Sequence, residues 1–100
     1  MKTTAQVLRV LRAAKPILRE RFGILEVALF GSYARNTHRP DSDIDILFKP
    51  GSDRSVGLAE RVALEEYLYQ QLGTERLDLV DQRYLNPVIA DDIIPTLIYV

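Results

Sequence analysis

Two aspartates, Asp43 and Asp45, form the pattern in this sequence that is best suited to chemistry. They alternate with Ile44 and Ile46, so in a β-strand the two acids would share one face while the isoleucines entered the core from the other. Neighbouring carboxylates repel one another, and a divalent cation removes that repulsion. Mg²⁺ prefers oxygen ligands from one or two carboxylates and completes its shell with substrate phosphates. The spacing predicts a magnesium site, although two ordinary surface acids on a half-exposed strand would show the same alternation.

A glycine and a serine, Gly31 and Ser32, follow directly after the apolar run at residues 27–30, which predicts a buried strand. Glycine lets the backbone turn tightly and lets a ligand approach the main chain closely. Serine then begins a helical turn whose free N–H groups and hydroxyl would face an anion. If this strand and the strand of the two aspartates are neighbours, a phosphate at the turn would lie near the metal. The turn therefore predicts a binding site for a triphosphate.

A third carboxylate is usually needed in such a site, either as a metal ligand or as a base. Asp78 is the first candidate, because it lies within the apolar segment 77–80, where an acid without a partner would be costly. Asp81, just past that segment, is the second. With two metal ions, one would activate an attacking hydroxyl and the other would stabilise a leaving pyrophosphate. Asp78 could instead be an edge-strand charge that discourages aggregation.

Two residues lie between the glycine–serine turn and the two aspartates and could also contribute to a site. Arg35 either contacts phosphate or pairs with a nearby carboxylate such as Asp41 or Asp43. His38 is predicted to be a solvated loop residue rather than a base or a ligand. The five tyrosines are scattered along the chain and are interpreted as packing or interface residues, not as platforms for stacked bases: Tyr33, Tyr67, Tyr69, Tyr84 and Tyr99.

Helical and strand patterns alternate along the chain. Apolar residues at spacings of three and four predict helices at Thr4–Phe22, with Pro16 as a kink or restart, and at Leu58–Leu72, each ended by a glycine. Strands are predicted at residues 27–30, 43–48 and 76–80, a helical turn at 32–36, a loop at 49–52, a last helical segment from Asn86, and an apolar tail at 97–100. The alternation predicts one α+β, two-layer domain over residues 1–100, with three or four strands.

Composition excludes several classes of protein. Thirteen Lys and Arg against fourteen Asp and Glu give a net charge of -1, which argues against binding of long nucleic acid by charge alone. Because the chain has no cysteine, disulfides and thiolate metal sites are ruled out. The apolar runs are shorter than the roughly 20 residues of a membrane span, and no cleavable leader pattern is visible. A cytoplasmic protein is the expectation.

Taken together, Gly31-Ser32, ten intervening residues and Asp43-Ile44-Asp45 resemble the signature of the DNA polymerase β nucleotidyltransferase superfamily. The wording Gly-Ser-Tyr-Ala-Arg and Ser-Asp-Ile-Asp-Ile resembles the minimal nucleotidyltransferase branch, the MNT-domain antitoxins that are paired with HEPN toxins. This resemblance covers nearly the whole chain and implies a nucleotidyltransferase-type mixed sheet with helices packed on one face. The family commonly has glycine after the signature arginine, where this chain has Asn36. Asparagine tolerates positive φ, so the turn is expected to survive.

The resemblance also implies the ligands. By it, Asp43, Asp45 and Asp78 bind Mg²⁺, with two ions expected, while Gly31 and Ser32 bind the triphosphate. It implies transfer of AMP from ATP to a tyrosine of a HEPN toxin, by the antitoxin of a toxin–antitoxin pair. The short chain leaves little material beyond the catalytic sheet, so a second polypeptide, as substrate or as dimer mate, is expected to complete the site. Two alternatives stay open: a non-catalytic module that masks its partner, and a small-molecule enzyme resembling aminoglycoside nucleotidyltransferases.

Overall fold

The computed structural model of the chain describes residues 2–51 and 57–100. In chain order the elements are α1 (Thr4–Phe22), β1 (Ile24–Phe30), α2 (Gly31–Ala34), β2 (Ile44–Pro50), α3 (Leu58–Leu72), β3 (Leu77–Asp81), a 3₁₀ turn (Gln82–Tyr84), α4 (Pro87–Ile93), a second 3₁₀ turn (Ile94–Thr96) and β4 (Ile98–Tyr99). The strands form one mixed sheet in the order β3-β2-β1-β4. β1 runs antiparallel to β2 and β4, and β2 runs parallel to β3. The predicted α+β fold is confirmed, with four strands.

Both long helices have the predicted bounds, and local signals mark both ends of α1 and the end of α3. α1 begins with a capping box in which Thr3 and Gln6 exchange backbone-to-side-chain hydrogen bonds of 2.8 and 3.1 Å. It continues through Pro16 as one helix and ends where Gly23 adopts φ 67°. α3 ends in the same way at Gly73, also at φ 67°. No helix in the described ranges is long and apolar enough to cross a membrane.

The main hydrophobic core lies between the two long helices and one face of the sheet. Its buried side chains come from α1, from α3 and from alternate positions of the three longer strands, including Leu29, Ile46 and Leu79. The opposite face is covered only in part: Ala28, Phe30 and Leu47 pack there against Ile93 of α4. The long helices therefore share one face, as expected, while the short α4 covers part of the other.

Several strand boundaries differ from the prediction: β2 begins at Ile44, so Asp43 lies just before the strand, and β3 runs from Leu77 to Asp81 instead of 76–80. β1 begins at Ile24 instead of residue 27. The prediction missed these first residues because Leu25 and Glu26, which are exposed at a register shift, interrupt the buried apolar pattern. β2 continues through Pro50, so the predicted loop at 49–52 is wrong at its first two residues, and Ser52 lies outside the described residues. The predicted apolar tail is a strand, β4, which pairs with β1 at the sheet edge.

Candidate active site

The sheet register brings two of the three candidate acids side by side. Asp45 on β2 lies opposite Phe30 on β1 and opposite Asp78 on β3. Residues directly opposite one another point to the same face, and neighbouring strands are about 4.8 Å apart. Asp45 and Asp78 therefore share the face that Phe30 and Leu47 occupy, away from the two long helices. Ile44 and Ile46 are each 1% exposed in the main core, as the alternation predicts.

Gly31 brings the backbone turn after β1 directly against the Asp45 carboxylate. Its φ is +73°, and a Cβ atom built on it would lie 2.0 Å from Oδ2 of Asp45. No residue other than glycine fits this position without displacing that carboxylate. The short helix α2 begins at Gly31, and the Arg35 N–H donates to the Gly31 carbonyl at 3.1 Å. The structure thus places Gly31 next to the Asp45 carboxylate, and Ser32 follows in the first turn of α2.

Electrostatics at Asp45 show how closely the acids are grouped. Burial raises the pKa of Asp45, and the charges of Asp78 and Asp43 raise it further, to about 6, while the nearby Arg35 charge opposes the rise. Asp43 precedes β2 and is exposed, as is Asp78 on the edge strand β3. The repulsion that Asp43 and Asp78 exert on Asp45 is the kind that a divalent cation relieves.

The donor set at this place fits Mg²⁺ in chemical type, since all three candidates supply carboxylate oxygens. Within residues 2–51 and 57–100, however, no three acidic, histidine or cysteine side chains lie close enough to hold one ion together. Asp45 and Asp78 lie opposite one another in the sheet, and Asp43 acts on Asp45 through its charge, but the three side chains do not form a closed coordination shell. The exposed side chains of Asp43 and Asp78 would have to move for the three acids to hold one ion.

Asp81, the second candidate for the third acid, has a structural role. It lies opposite Phe48, in the main core, and therefore on the other face of the sheet from Asp45. Its side chain is 6% exposed, and it forms an ion pair with Arg83 at 2.9 Å and caps the 3₁₀ turn through the Arg83 N–H. Although burial alone raises the pKa of Asp81, the hydrogen bonds and charge of Arg83 lower it below its usual value.

In the turn after α2, the structure agrees with the prediction for Asn36 and differs from the prediction for His38. Asn36 has φ 59°, so asparagine takes the left-handed conformation as expected. The prediction that His38 is a solvated loop residue is wrong: its ring stacks on Tyr33 at 3.8 Å, and its Nε2 lies 2.9 Å from the Lys2 carbonyl. Tyr33 is itself buried in the core, which confirms its packing role. A loop histidine packs here because α1 passes alongside the turn.

Arg35 is exposed, and no ion pair joins it to Asp41, Asp43 or any other acid in the part of the chain that is described. Its guanidinium influences the site through charge, since it lowers the pKa of Asp45 against the other contributions. Of the two roles that the sequence left open for Arg35, pairing with a nearby carboxylate is not observed.

Two cavities lie near the signature, and neither was predicted. One of about 390 Å³ opens between Lys2 and Arg76, beside α1 and α3, and none of the three candidate acids lines it. The other, of about 340 Å³, is bordered by Asp78 and has mainly apolar walls that include Phe30 and Leu85. In the sequence its wall residues are spread over β1, β3 and α4, so no local pattern could reveal it.

The comparisons with known proteins agree with the fold and the signature. The model of the nucleotidyltransferase domain family matches residues 11–96, so the chain belongs to that family and is a nucleotidyltransferase. It is 40% identical to the protein adenylyltransferase MntA of Thermococcus cleftensis over 100 residues, which are 100% of this chain and 98% of that protein. A solved structure provisionally identified as a minimal nucleotidyltransferase is 33% identical, with a TM-score of 0.76 over 97% of this chain and 95% of the other.

Two toxin–antitoxin structures share the fold. A complex with AMP-PNP gives a TM-score of 0.66 at 24% identity, over 98% of this chain and 72% of the matched one. A tri-AMPylated HEPN toxin of Shewanella oneidensis in complex with an MNT antitoxin gives 0.57 at 23% identity, over 96% and 66%. At these identities the likeness establishes the fold alone.

Proposed function

We propose that this nucleotidyltransferase moves AMP from ATP to a tyrosine of a HEPN-type toxin, with Mg²⁺ held by Asp43, Asp45 and Asp78. The observation that carries the proposal is the contact of Gly31 with the Asp45 carboxylate, in register with Asp78. The turn that would hold phosphates lies within one side-chain length of Asp45, the acid that would be central to the cation site. The name of the Thermococcus cleftensis relative and the AMPylated toxin complex support adenylyl transfer to a protein.

Each side chain has a defined task in this proposal. The missing Cβ at Gly31 lets a phosphate approach the backbone, and the Ser32 hydroxyl and the N–H groups of the turn donate hydrogen bonds to it. Asp43, Asp45 and Asp78 supply the oxygens for the cation, which when bound neutralises phosphate charge and polarises the reacting phosphorus. Arg35 adds positive charge beside the same acids. Nucleotidyl transfer depends mainly on such positioning and charge neutralisation.

A transfer assay tests this proposal. The chain, the product of its neighbouring gene, Mg²⁺ and ATP labelled at the α-phosphate should yield label on the partner, at a tyrosine by mass spectrometry. Asp45→Asn should lower the rate at least about a hundredfold, because it removes the negative charge and one oxygen from the central cation ligand. Asp41→Asn is the matched control: it removes the same charge from an exposed residue just outside the row, and it should retain the native rate.

The same variants separate catalysis from masking. If the chain only covered its partner, Asp45→Asn would still silence the partner's RNase activity without transferring label. Transfer that persists in Asp45→Asn, or a partner that stays unlabelled with the native chain and Mg²⁺, would contradict the proposal.

A further inference from the structure

The cavity beside Asp78 lies on the same face of the sheet as the candidate active site. Two residues that line it are in register with that site: Phe30 on β1 lies opposite Asp45, and Val80 on β3 lies opposite Leu47. Leu85 and Ile93 close it from the segment after β3, and all four of these side chains are apolar. Asp78 is the one charged residue that borders it in the described chain. The cavity volume, about 340 Å³, is larger than the volume of any single amino-acid side chain.

The strand order places this cavity on the far side of the acids from the phosphate turn. Gly31 follows β1, Asp45 lies on β2 and Asp78 on β3, so the turn and Asp78 are two strand spacings apart, or about 10 Å. In-line displacement at a phosphorus puts the attacking group opposite the leaving group. With the outer phosphates at Gly31 and the reacting phosphorus near Asp45, the attacking oxygen would arrive from the side of Asp78.

We propose that this cavity receives the aromatic ring of the acceptor tyrosine and sets its phenolic oxygen beside Asp78, an inference that rests on the proposed function. A phenol matches the cavity in polarity, since its ring is apolar and its one polar atom lies at the end where the carboxylate is. Besides Asp78, the polar lining residues are Asn86 and Tyr84, so adenine is the rival occupant that the experiment has to exclude. The direction of in-line attack favours the acceptor, since the attacking oxygen would arrive from the side of Asp78.

The transfer step then balances without a further reactant. The phenolic O–H releases its proton to solvent as the oxygen forms a bond to the α-phosphorus of ATP. The bond between that phosphorus and the bridging oxygen to the β-phosphorus breaks, and pyrophosphate leaves with the electron pair. The product is a tyrosyl-AMP phosphodiester on the acceptor.

The surface around the cavity is suited to a protein acceptor. Tyr84, which borders the cavity, is 78% exposed, while Val88 of α4 and Ile94 of the second 3₁₀ turn are 75% and 58% exposed. Large apolar side chains at such exposure mark contact surfaces when they adjoin a site. A partner that covered them would bring its tyrosine to the cavity from the open side of the sheet.

A binding experiment tests the cavity without any transfer. We would titrate the full chain, labelled at its methyl groups, with p-cresol as the probe for a tyrosine ring and with adenosine as the rival. The methyl signals of Val80, Leu85 and Ile93 should shift saturably with p-cresol, and Leu85→Trp should weaken that binding at least about tenfold by filling the space. Val80→Phe serves as a second filling variant if Leu85→Trp does not fold, and Leu58→Trp, at a position 82% exposed on α3, is the control that should keep native binding.

Transfer measurements complete the test. Leu85→Trp should lower kcat/KM for the acceptor about thirtyfold, while the Kd for ATP changes less than about twofold. The inference would be overturned in favour of a nucleobase site if adenosine, and not p-cresol, shifted these methyl signals. It would also be overturned if Leu85→Trp weakened the binding of ATP as much as the binding of the acceptor. If the native chain binds p-cresol here but labels no partner, the proposed function fails while the cavity assignment stands; if transfer survives in the filled variants, only the cavity assignment fails.

Discussion

Replacing Gly31 by alanine should inactivate the enzyme through a single added methyl group. The new Cβ would lie 2.0 Å from Oδ2 of Asp45, 3.0 Å from its Cγ and 3.3 Å from its Cβ. Because Cβ contacts under 3.0 Å essentially never occur, the carboxylate has to move by about 1 Å or rotate away. Displacements of this size at a reacting centre cost on the order of a hundredfold in rate. The backbone also carries strain, since φ is +73°.

Gly73→Ala is a matched control for the strain. Gly73 has nearly the same φ, +67°, but a Cβ there would meet nothing closer than the Lys2 Nζ at 3.8 Å. Both variants should lose about 1–2 kcal/mol from the left-handed conformation, which in a domain of this size lowers the Tm by roughly 4–15 °C. Only Gly31→Ala should also lose Mg²⁺-dependent binding of ATP and transfer of AMP.

Calorimetry gives the two Tm values, titration with ATP and Mg²⁺ gives the affinities, and the labelled-ATP assay gives the rates, all below both Tm values. The reasoning is refuted if Gly31→Ala binds ATP and transfers AMP as well as Gly73→Ala does. Such a result would mean that the Asp45 carboxylate is free to move without consequence, and that its contact with the turn plays no part in the reaction.

Three further predictions concern stability. Asp45→Asn should stabilise the metal-free chain near neutral pH by roughly 1 kcal/mol in chemical denaturation, after allowance for solvent screening. Because the folded-state pKa of Asp45 is raised to about 6, this gain in stability should shrink as the pH falls through 6. It should vanish near the unfolded pKa of 3.8. Asp81→Asn should show the opposite pH dependence, because the folded-state pKa of Asp81 is lowered. The loss, about 1 kcal/mol for the ion pair with Arg83, should be present at neutral pH and disappear in acid, with ATP binding unchanged. At φ 59°, Asn36→Gly should change stability by less than about 0.5 kcal/mol, whereas Asn36→Ala should lose about 1 kcal/mol in the same denaturation measurement.

The sequence was sufficient for those parts of the fold that local chemistry controls. The bounds of α1 and α3 follow from amphipathic spacing with a glycine directly after each helix, and in α1 also from a capping box. The alternation at Ile44 and Ile46 predicts which way Asp45 faces, although Asp43 lies just before the strand, and the conformation of Asn36 follows from its side chain. In each case the deciding interaction joins residues a few positions apart.

What the sequence could not predict depends on contacts between distant segments. The packing of His38 on Tyr33 requires α1 to pass beside the turn, which a local pattern does not show. The sequence ranks Asp78 above Asp81 as the third acid but does not show that Asp81 lies within the same strand. The register with β2 sets the two side chains on opposite faces of the sheet, where Asp81 pairs with Arg83. The cavity beside Asp78 arises only once β1, β3 and α4 are assembled.

The most direct measurement of the central claim is a crystal of the chain soaked with Mn²⁺ and a non-hydrolysable ATP analogue. We predict an anomalous peak within about 2.3 Å of carboxylate oxygens of Asp43 and Asp45, with the triphosphate against Gly31 and Ser32. A peak elsewhere, or phosphates bound away from Gly31 while Asp45 stays without a cation, would contradict the account.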